Sequence, residues 1–350
     1  MSAQPKVASL SAQIALGVDD GYYNTKVVGP NGAFVTESRA RIGTANVVAF
    51  ADSDVNVCEY ETDNVAYAVG KINADNTAFD DYPTDPLNRI IVHHALLAAG
   101  YGGREVTITT GLPVRLYYKR GRNPGKNEDL IARKIENLSK PVTLTKGQPH
   151  PSVTDAEVVI AKHHVIPEGF AAWFDYLIEE DAKGNVKRHT SREKEAVAFI
   201  DIGGRTTDYA VIADRAVQLD ASGSIDVGML KVNELVHDEI CAEYNLASLK
   251  SASVDAAVKD GLIRLHGKDV DVRDIVSHAK REVVEQIKQN TKRLIGSRAA
   301  ELERVIFIGG GVDGLRGHLS GWFSNQIVME NPVFANARGM GKYMNYVAAE

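Results

Sequence analysis

The chain has 350 residues, a formal net charge of −6 and a hydrophobic content of 44%. These values describe an ordinary globular protein that is long enough to form two packed lobes. Because Lys and Arg are spread along the chain rather than clustered, we expect no direct, phosphate-driven binding to DNA.

The cysteine content and the N-terminus indicate the compartment. The chain has only two cysteines, Cys58 and Cys241, which stand in no metal-ligand spacing. We therefore expect neither a disulfide framework nor a cysteine zinc site, which is typical of a reducing cytoplasm. Residues 1–13 lack the apolar core of a secretory signal, and no apolar run approaches the ~20 residues of a membrane span. We therefore expect a cytoplasmic protein with a flexible tail over 1–13 and no membrane contact.

The N-terminal half alternates between strand and helix signals. Residues 14–36 predict a strand, a turn and a strand, and the segment from about 36 to 90 is rich in strands and loops. Three elements follow: a helix over 89–99 closed by Gly100, a buried strand over 104–113, and an amphipathic helix over 127–139.

The C-terminal half continues the alternation. Its predicted elements are a strand over 157–169, a helix over 170–180, two or three strands over 196–223, a helix from about Met229, the longest helix over 274–295, a buried strand before Gly309 and a closing helix over 339–350. This order predicts an α/β protein.

Two segments share one pattern. "IALGVDDGYYNTKVVGP" and "AFIDIGGRTTDYAVI" each contain an apolar strand, an aspartate, a glycine turn, a polar tip and a second apolar strand. Asp19 and Gly21 occupy the first turn, and Asp201 and Gly203 occupy the second. The repetition predicts a duplicated unit and two related lobes.

Glycine turns of this kind expose backbone N–H groups and form anion sites, so two facing turns could bind a polyphosphate from both sides. A carboxylate ~4 Å from a phosphate charge would cost on the order of 4 kcal/mol at an effective dielectric of ~20. Asp19, Asp201 and Asp208 therefore call for a cation, and Mg²⁺ fits because a few carboxylates and phosphate oxygens hold it with its waters. Lys26 can supply a fixed positive charge. The alternative is that both segments are merely hairpins with polar turns.

A third element is "VIFIGGGVDG", which matches G-x-G-x-x-G at Gly309, Gly311 and Gly314 after a strand. Only 36 residues follow Gly314, too few to complete a doubly wound dinucleotide domain. The position instead favours a close approach of the backbone to a nucleoside at Gly309–Gly311.

The three elements, in this order, resemble the superfamily of actin, heat-shock chaperone and sugar-kinase ATPases, and most of all its ParM-type plasmid-segregation actins. Further likenesses are "VDDGYYNTK", "VHHALLAAG" before "TTGLP", "RLYYKRGRN", "VIPEG" and "DIGGRTTD". The resemblance covers nearly the whole chain from about residue 14. It implies an α/β, actin-like two-lobed ATPase fold, with duplicated ribonuclease-H-like subdomains flanking a nucleotide cleft.

The resemblance also implies a division of the chain. Lobe I would span 14–198 with a β-rich insertion over about 36–90. Lobe II would span 199–334 with a helical insertion over about 229–300. A C-terminal helix over 335–350 would return to lobe I.

The family roles transfer to matching positions. The catalytic set would be Glu168, which would orient the attacking water and accept its proton, and Asp19 and Asp201, which would hold Mg²⁺ through water. Asp208 would close the second phosphate loop. The other nucleotide-binding residues would be Gly21, Asn24, Thr25, Lys26, Gly203, Gly204 and Thr206 at the phosphates, and Gly309, Gly310 and Gly311 at the nucleoside.

One position departs from the family pattern. Relatives carry small hydroxyl residues or Gly at the tip of the first turn, whereas this chain has Tyr22 and Tyr23. Such side chains are compatible with phosphate binding only if they point away and the backbone N–H binds, so neither belongs to the predicted site.

The resemblance implies hydrolysis of ATP, with GTP as an alternative, and head-to-tail filaments. A nucleotide held by both lobes would fix their angle and so couple subunit contacts to the γ-phosphate. A DNA-binding adaptor of the ParR type would attach the filaments to plasmid DNA. Two alternatives remain open: a small-molecule, sugar-type kinase, and a non-polymerising nucleotide-gated chaperone or regulator.

Overall fold

The computed structural model describes residues 14–45, 57–70, 72–119, 121, 125–151, 155–181 and 184–348. The flexible tail expected over 1–13 lies outside these ranges. Within them, no helix has both the length and the apolar character needed to cross a membrane.

The strands fall largely where apolar runs alternate with turn residues. Those of the N-terminal half are β1 (Ile14–Asp20), β2 (Asn24–Gly29), β3 (Gly32–Glu37), β4 (Ala40–Ile42), β5 (Val57–Thr62), β6 (Val65–Gly70), β7 (Glu105–Leu112), β8 (Tyr118–Lys119), β9 (Gly125–Lys126), β10 (Thr143–Lys146) and β11 (Val159–Pro167). Those that follow are β12 (Ile178–Glu180), β13 (Val186–Arg188), β14 (Val197–Ile202), β15 (Thr207–Ala213), β16 (Ala216–Val217), β17 (Gly223–Ile225), β18 (Leu262–Leu265), β19 (Lys268–Asp271), β20 (Arg304–Ile308) and β21 (Gln326–Val328).

The helices are α1 (Pro86–Ala98), α2 (Val114–Tyr117), α3 (Glu128–Ser139), α4 (Phe170–Leu177), α5 (Met229–Glu243), α6 (Ser251–Asp260), α7 (Arg273–Ile295), α8 (Gly311–Leu315) and α9 (Ala335–Tyr346). The first begins with a proline after Asp85, whose carboxylate accepts a hydrogen bond from the Leu87 N–H. This is the usual chemistry of a helix start, because it satisfies a backbone donor that has no partner inside the helix.

Two large sheets have the same topology. The first has the order β3-β2-β1-β7-β11, and the second has the order β16-β15-β14-β20-β21. In each sheet the first three strands in sequence are antiparallel neighbours, and the last two run parallel to the first. The duplicated unit predicted from the two glycine turns is therefore present, and the α/β fold class is confirmed.

Helices cover these sheets because strands buried on both faces need apolar layers on each side. In the first sheet, Leu16 and Val18 pack with Ile90 of α1, and all three side chains are fully buried. In the second, Ile200 packs with Val283 of α7.

Helices α4 and α9 pack against each other and connect the two sheets. Phe199 and Ile306 of the second sheet share a core cluster with Trp173 of α4. On the other side, a Cβ at Gly17 of β1 would lie 1.9 Å from the Ala337 carbonyl oxygen of α9. A side chain at position 17 would therefore push the C-terminal helix off the first sheet.

The structure differs from the expected elements in three places. Helix α4 ends at Leu177, and residues 178–180 instead form β12, which pairs with β13. The Asn185 N–H donates a hydrogen bond to the Asp181 carboxylate at 2.9 Å. In the segment expected to be a β-rich insertion, strands β4, β5 and β6 form one sheet with β10, which lies beyond residue 90. The helical insertion contains the hairpin β18–β19.

Candidate functional site

A cleft of about 1640 Å³ is lined by residues from both glycine turns. The sequence-predicted residues that line it are Asp19, Gly21, Asn24, Lys26, Glu168, Asp201, Gly203, Gly204, Thr206, Asp208, Gly310 and Gly311. Residues far apart in sequence and belonging to different sheets thus converge on one cavity.

Thr25 does not line the cleft. Its side chain is fully buried, and its Oγ1 lies 3.1 Å from Ser38 Oγ. Successive strand residues point to opposite faces, so Thr25 points away from the side on which Asn24 and Lys26 reach the cleft. The hydroxyl therefore stabilises the interior of the first sheet rather than contacting a phosphate.

The three glycines after β20 have separate roles. A Cβ at Gly309, where φ is +96°, would lie 2.2 Å from Asp201 Oδ1, so this glycine allows the carboxylate to pack against the backbone and does not line the cleft. A Cβ at Gly311 would lie 2.6 Å from Ile202 Cγ2. Nothing lies within 4 Å of the Cβ direction at Gly310, which leaves its cleft-facing backbone open to a ligand.

The two glycine turns touch. A Cβ at Gly204 would lie 2.5 Å from Tyr23 Cβ and 3.3 Å from the Tyr23 backbone nitrogen. Only a residue without a side chain allows this approach. The contact places the tip of the β1–β2 turn directly against the β14–β15 turn.

The second turn is fixed to the start of α5. The N–H groups of Met229 and Leu230 donate to the carbonyl oxygens of Gly203 and Gly204 at 3.1 and 2.8 Å. The Gly203 N–H donates to the Thr206 carbonyl at 2.9 Å, which closes the turn. The Gly203 amide therefore contributes to the shape of the turn.

At the end of β1, Asp19 forms a buried ion pair with Lys26, with 3.0 Å between Oδ2 and Nζ. Burial alone would lower the pKa of Lys26. The carboxylate of Asp19, together with Asp201 and Glu168, outweighs burial and raises the pKa of the ammonium group above its usual range. Lys26 is therefore held as a cation among carboxylates.

The other carboxyl groups of the cleft have raised pKa values and so resist ionisation. Burial, followed by repulsion from Asp19 and Asp208, raises the pKa of Asp201 to about 7. Burial raises the pKa of Asp208 to about 6, although hydrogen bonds from Ser224 and Thr206 oppose the shift. Burial and the same three aspartates raise the pKa of Glu168 well above its ordinary value. The site therefore favours an added positive charge.

Asp208 is tightly held. Its Oδ2 accepts a hydrogen bond from Thr206 Oγ1 at 2.7 Å, and its Oδ1 accepts one from the Ser224 hydroxyl. The Thr206 hydroxyl hydrogen is thus directed at Asp208, and the contribution of this threonine to a phosphate would come from its backbone or its oxygen.

Both tyrosines of the first turn line the cleft, and their rings are held by other contacts. The Tyr22 ring packs 5.3 Å from that of Tyr82 and lies under the Arg205 guanidinium at 5.4 Å. The Tyr23 hydroxyl donates to Asp255 Oδ1 at 3.0 Å.

The structure adds residues that the sequence reasoning missed. Lys134 Nζ lies 2.8 Å from Asp20 Oδ2 and donates to the Gly111 carbonyl at 2.6 Å, so a second buried ion pair lies beside the first. The consecutive aspartates at 19 and 20 are the signal that could have indicated it. Asn336, at the start of α9, donates to Asp201 Oδ2 at 2.5 Å, and no sequence pattern indicates this contact.

Two buried histidines, His93 and His163, make structural contacts. His93 is buried, and its Nε2 lies 3.0 Å from the Leu138 carbonyl oxygen. His163 is also buried, with its Nε2 2.9 Å from Thr110 Oγ1. Burial lowers the pKa of both rings, so they are neutral at physiological pH.

The duplicated sheets and the shared cleft define an actin-like two-lobed protein. Two family models match the chain, namely "Plasmid segregation protein ParM, N-terminal" over residues 14–179 and "Archaeal actin homologue MreB-like, C-terminal" over residues 199–321. The chain is therefore ParM-like over its N-terminal part and similar to an archaeal actin homologue over its C-terminal part, which agrees with the actin-like fold. No curated protein sequence matches it.

Solved structures with the same fold include three informative ones. A 15-stranded ParM filament from Clostridium botulinum superposes with a TM-score of 0.73 at 17% identity, covering 95% of this chain and 99% of that one. An archaeal actin homologue in complex with ADP gives 0.70 at 18% identity, covering 94% and 98%. ParM from Bacillus thuringiensis with AMPPNP gives 0.67 at 16% identity, covering 97% and 100%.

Proposed function

We propose that the chain is an ATP-hydrolysing actin-like protein that assembles into filaments and segregates plasmid DNA through an adaptor. The observation that carries this proposal is the contact between the two glycine turns, Gly204 against Tyr23, which brings Asp19, Asp201 and Glu168 around one cleft. Turns of this type bind phosphate through backbone N–H groups. A cleft bounded by two such turns suits a polyphosphate.

Mg²⁺ fits the chemistry of the site. The available donors are carboxylate oxygens. Burial raises the pKa values of Asp201 and Asp208, with repulsion from Asp19 and Asp208 adding to the shift of Asp201, so a nearby cation would stabilise their ionised forms. Within the described ranges, no three side chains of His, Cys, Asp or Glu lie close enough together to ligate one metal ion. We therefore assign Asp19 and Asp201 to hold Mg²⁺ through water. The ion would supply positive charge at the phosphates.

Glu168 is the proposed general base. It lies in the cleft, and burial together with the neighbouring aspartates raises its pKa well above that of an exposed glutamate, so its ionised form is a stronger base. Lys26 and the turn N–H groups would bind phosphate oxygens, while Gly310 leaves room for the nucleoside. ATP is proposed as the substrate, with GTP as the alternative.

Assembly and partners are proposed from relatives. A ParM of the same fold forms a 15-stranded filament, and structures of other relatives contain ADP or AMPPNP. A head-to-tail filament of this chain would couple assembly to the γ-phosphate. With a net charge of −6, the chain itself suits indirect attachment to DNA, through an adaptor of the ParR type.

The test is assembly with each nucleotide. With Mg-ATP, light scattering should rise above a threshold protein concentration and the protein should sediment, whereas Mg-GTP measured in parallel establishes the preference. Flat scattering up to tens of micromolar protein would contradict the filament.

A small-molecule kinase of the same superfamily is separated by a second measurement. A kinase consumes ATP only when its acceptor is present, whereas the proposed protein consumes ATP alone once it assembles. Turnover that requires an added sugar or related alcohol would favour the kinase.

A further inference from the structure

Asn336 is the second residue of α9 and is 4% exposed. Its position is fixed on two sides by backbone contacts of the same helix. A Cβ at Gly339 would lie 1.7 Å from the Ala171 carbonyl oxygen of α4, and one at Gly17 would lie 1.9 Å from the Ala337 carbonyl oxygen. The start of α9 therefore packs backbone to backbone against β1 and the start of α4.

The Asn336 amide makes one hydrogen bond to each side of the cleft. Its Nδ2 donates to Asp201 Oδ2 at 2.5 Å, and Asp201 belongs to the second sheet. Its Oδ1 accepts from the Gly169 N–H at 3.3 Å. Gly169 follows Glu168 directly and precedes α4, so this bond holds the peptide that carries the proposed base.

The chemistry at this position requires a side chain that both donates and accepts. An ionised Asp201 can only accept a hydrogen bond, and the Gly169 N–H can only donate one. A primary amide has both functions in one planar group. A carboxylate at position 336 would repel Asp201, and an apolar side chain would leave both buried partners without this contact.

We propose that Asn336 is a positioning residue for nucleotide hydrolysis, which sets the Asp201 carboxylate and the Glu168–Gly169 peptide in one fixed relation. The inference rests on the proposed function. In the proposed mechanism, Asp201 would act on the metal side of the reaction and Glu168 on the attacking water. A single amide bonded to both sides would keep these two groups at a constant separation.

The Gly169 backbone conformation supports this role. Its φ is +76°, and a Cβ there would lie 2.4 Å from Ala210 Cβ in the second sheet. The Glu168–Gly169 peptide, which bonds to Asn336, therefore packs directly against the second sheet. A change in the relation between the lobes would act on this peptide and on Glu168 together.

The test compares Asn336→Leu and Asn336→Ala with the control Asn137→Ala. Asn137 is also buried, and its Nδ2 donates to the Asp85 carbonyl at 2.9 Å, which lies outside the proposed machinery. All proteins are full-length. The measurements are kcat and KM for ATP, the Mg²⁺ dependence of binding of a fluorescent nucleotide, and hydrogen exchange of the peptide containing Gly169 in nucleotide-free protein.

Both Asn336 variants should lower kcat by about 10-fold or more, as loss of an outer-shell partner typically does. They should raise the Mg²⁺ concentration for half-maximal nucleotide binding, change KM by less than about threefold, and speed exchange at Gly169. The control should lose a comparable amount of thermal stability while keeping kcat and the Mg²⁺ midpoint.

Values of kcat and Mg²⁺ midpoint within about twofold of wild type in both Asn336 variants would overturn the inference, and so would an equal loss of kcat in the control. If Asn336→Leu does not fold, Asn336→Ala decides alone. Absence of hydrolysis in the wild type would instead contradict the proposed function, while exchange at Gly169 would still report on the hydrogen bond.

Discussion

The hydroxyl of Tyr23, at the tip of the first glycine turn, donates a hydrogen bond to Asp255 of α6 at 3.0 Å. The same Asp255 carboxylate pairs with Arg39 at 3.4 Å and accepts a hydrogen bond from Asn233 at 2.5 Å. All four residues line the cleft. The contact therefore joins the first sheet to the helical insertion of the second lobe across the cavity.

Loss of this contact should speed release of nucleotide. A typical hydrogen bond contributes about 0.5–1.5 kcal/mol net, so Tyr23→Phe should raise the dissociation rate of a fluorescent ADP at least about 2- to 10-fold. Tyr101→Phe is the control, because its hydroxyl accepts from the Asn31 N–H within the first lobe. Stopped-flow displacement measures both rates, and equal rates in wild type and Tyr23→Phe would contradict the prediction.

Glu168→Gln should separate hydrolysis from assembly. Removing a general base typically costs on the order of 10²–10⁴ in rate, so turnover should fall by that factor while Mg-ATP still induces sedimentation. The same change removes a buried carboxylate whose pKa is raised, so the nucleotide-free variant should melt at a higher temperature near pH 8. Wild-type turnover in this variant would remove Glu168 from the mechanism.

The nucleotide-free protein should lose stability as the pH rises. Asp201 has a pKa of about 7 in the folded protein against an ordinary value of 3.8, so between these values the folded state binds more protons than the unfolded state. The free energy of unfolding then falls as pH rises through this window. Thermal melts from pH 5 to 8 measure the slope, and Asp201→Asn should make it shallower. An unchanged slope in that variant would assign the effect to other groups.

Gly204→Ala should weaken nucleotide binding while the fold is retained. The added Cβ would lie 2.5 Å from Tyr23 Cβ, so the two turns must move apart and lose their joint grip on phosphate. Gly317→Ala is the matched control, because no atom lies within 4 Å of its Cβ direction. Isothermal titration with Mg-ATP compares the two, and wild-type affinity in Gly204→Ala would show that the turns do not act together.

The sequence predicted which residues would share a cleft wherever the signal is local. Asp19 and Asp201 were placed together because each stands in a short motif of strand, acid and glycine turn, and the repetition of that motif also predicted the duplicated sheets. Thr25 was assigned to the phosphates, but it lies outside the lining of the cleft. A motif does not show which face of a strand a residue occupies, whereas the alternation of faces along β2 would have indicated that Thr25 points away from Lys26.

The contacts missed by sequence reasoning join distant parts of the chain. Asn336 lies 135 positions from Asp201, and Tyr23 lies 232 positions from Asp255. A single asparagine or tyrosine forms no periodic sequence pattern, so the sequence does not indicate a partner so far along the chain. Gly309 was predicted to contact the nucleoside. In the structure, the absence of a side chain at Gly309 makes room for the Asp201 carboxylate, and this role becomes visible only from the pairing of β20 with β14.

The backbone contacts of α9 at Gly17 and Gly339 leave no space for side-chain rearrangement between the sheets. An opening of the cleft would then rotate the two sheets about α4 and α9, with little displacement near these helices. Atoms far from that axis are displaced most, so the rim of the cleft, where Tyr23 contacts Asp255, would separate by a larger distance than the region near α9. Spectroscopic labels at this rim would show a larger distance change on opening than labels near α9.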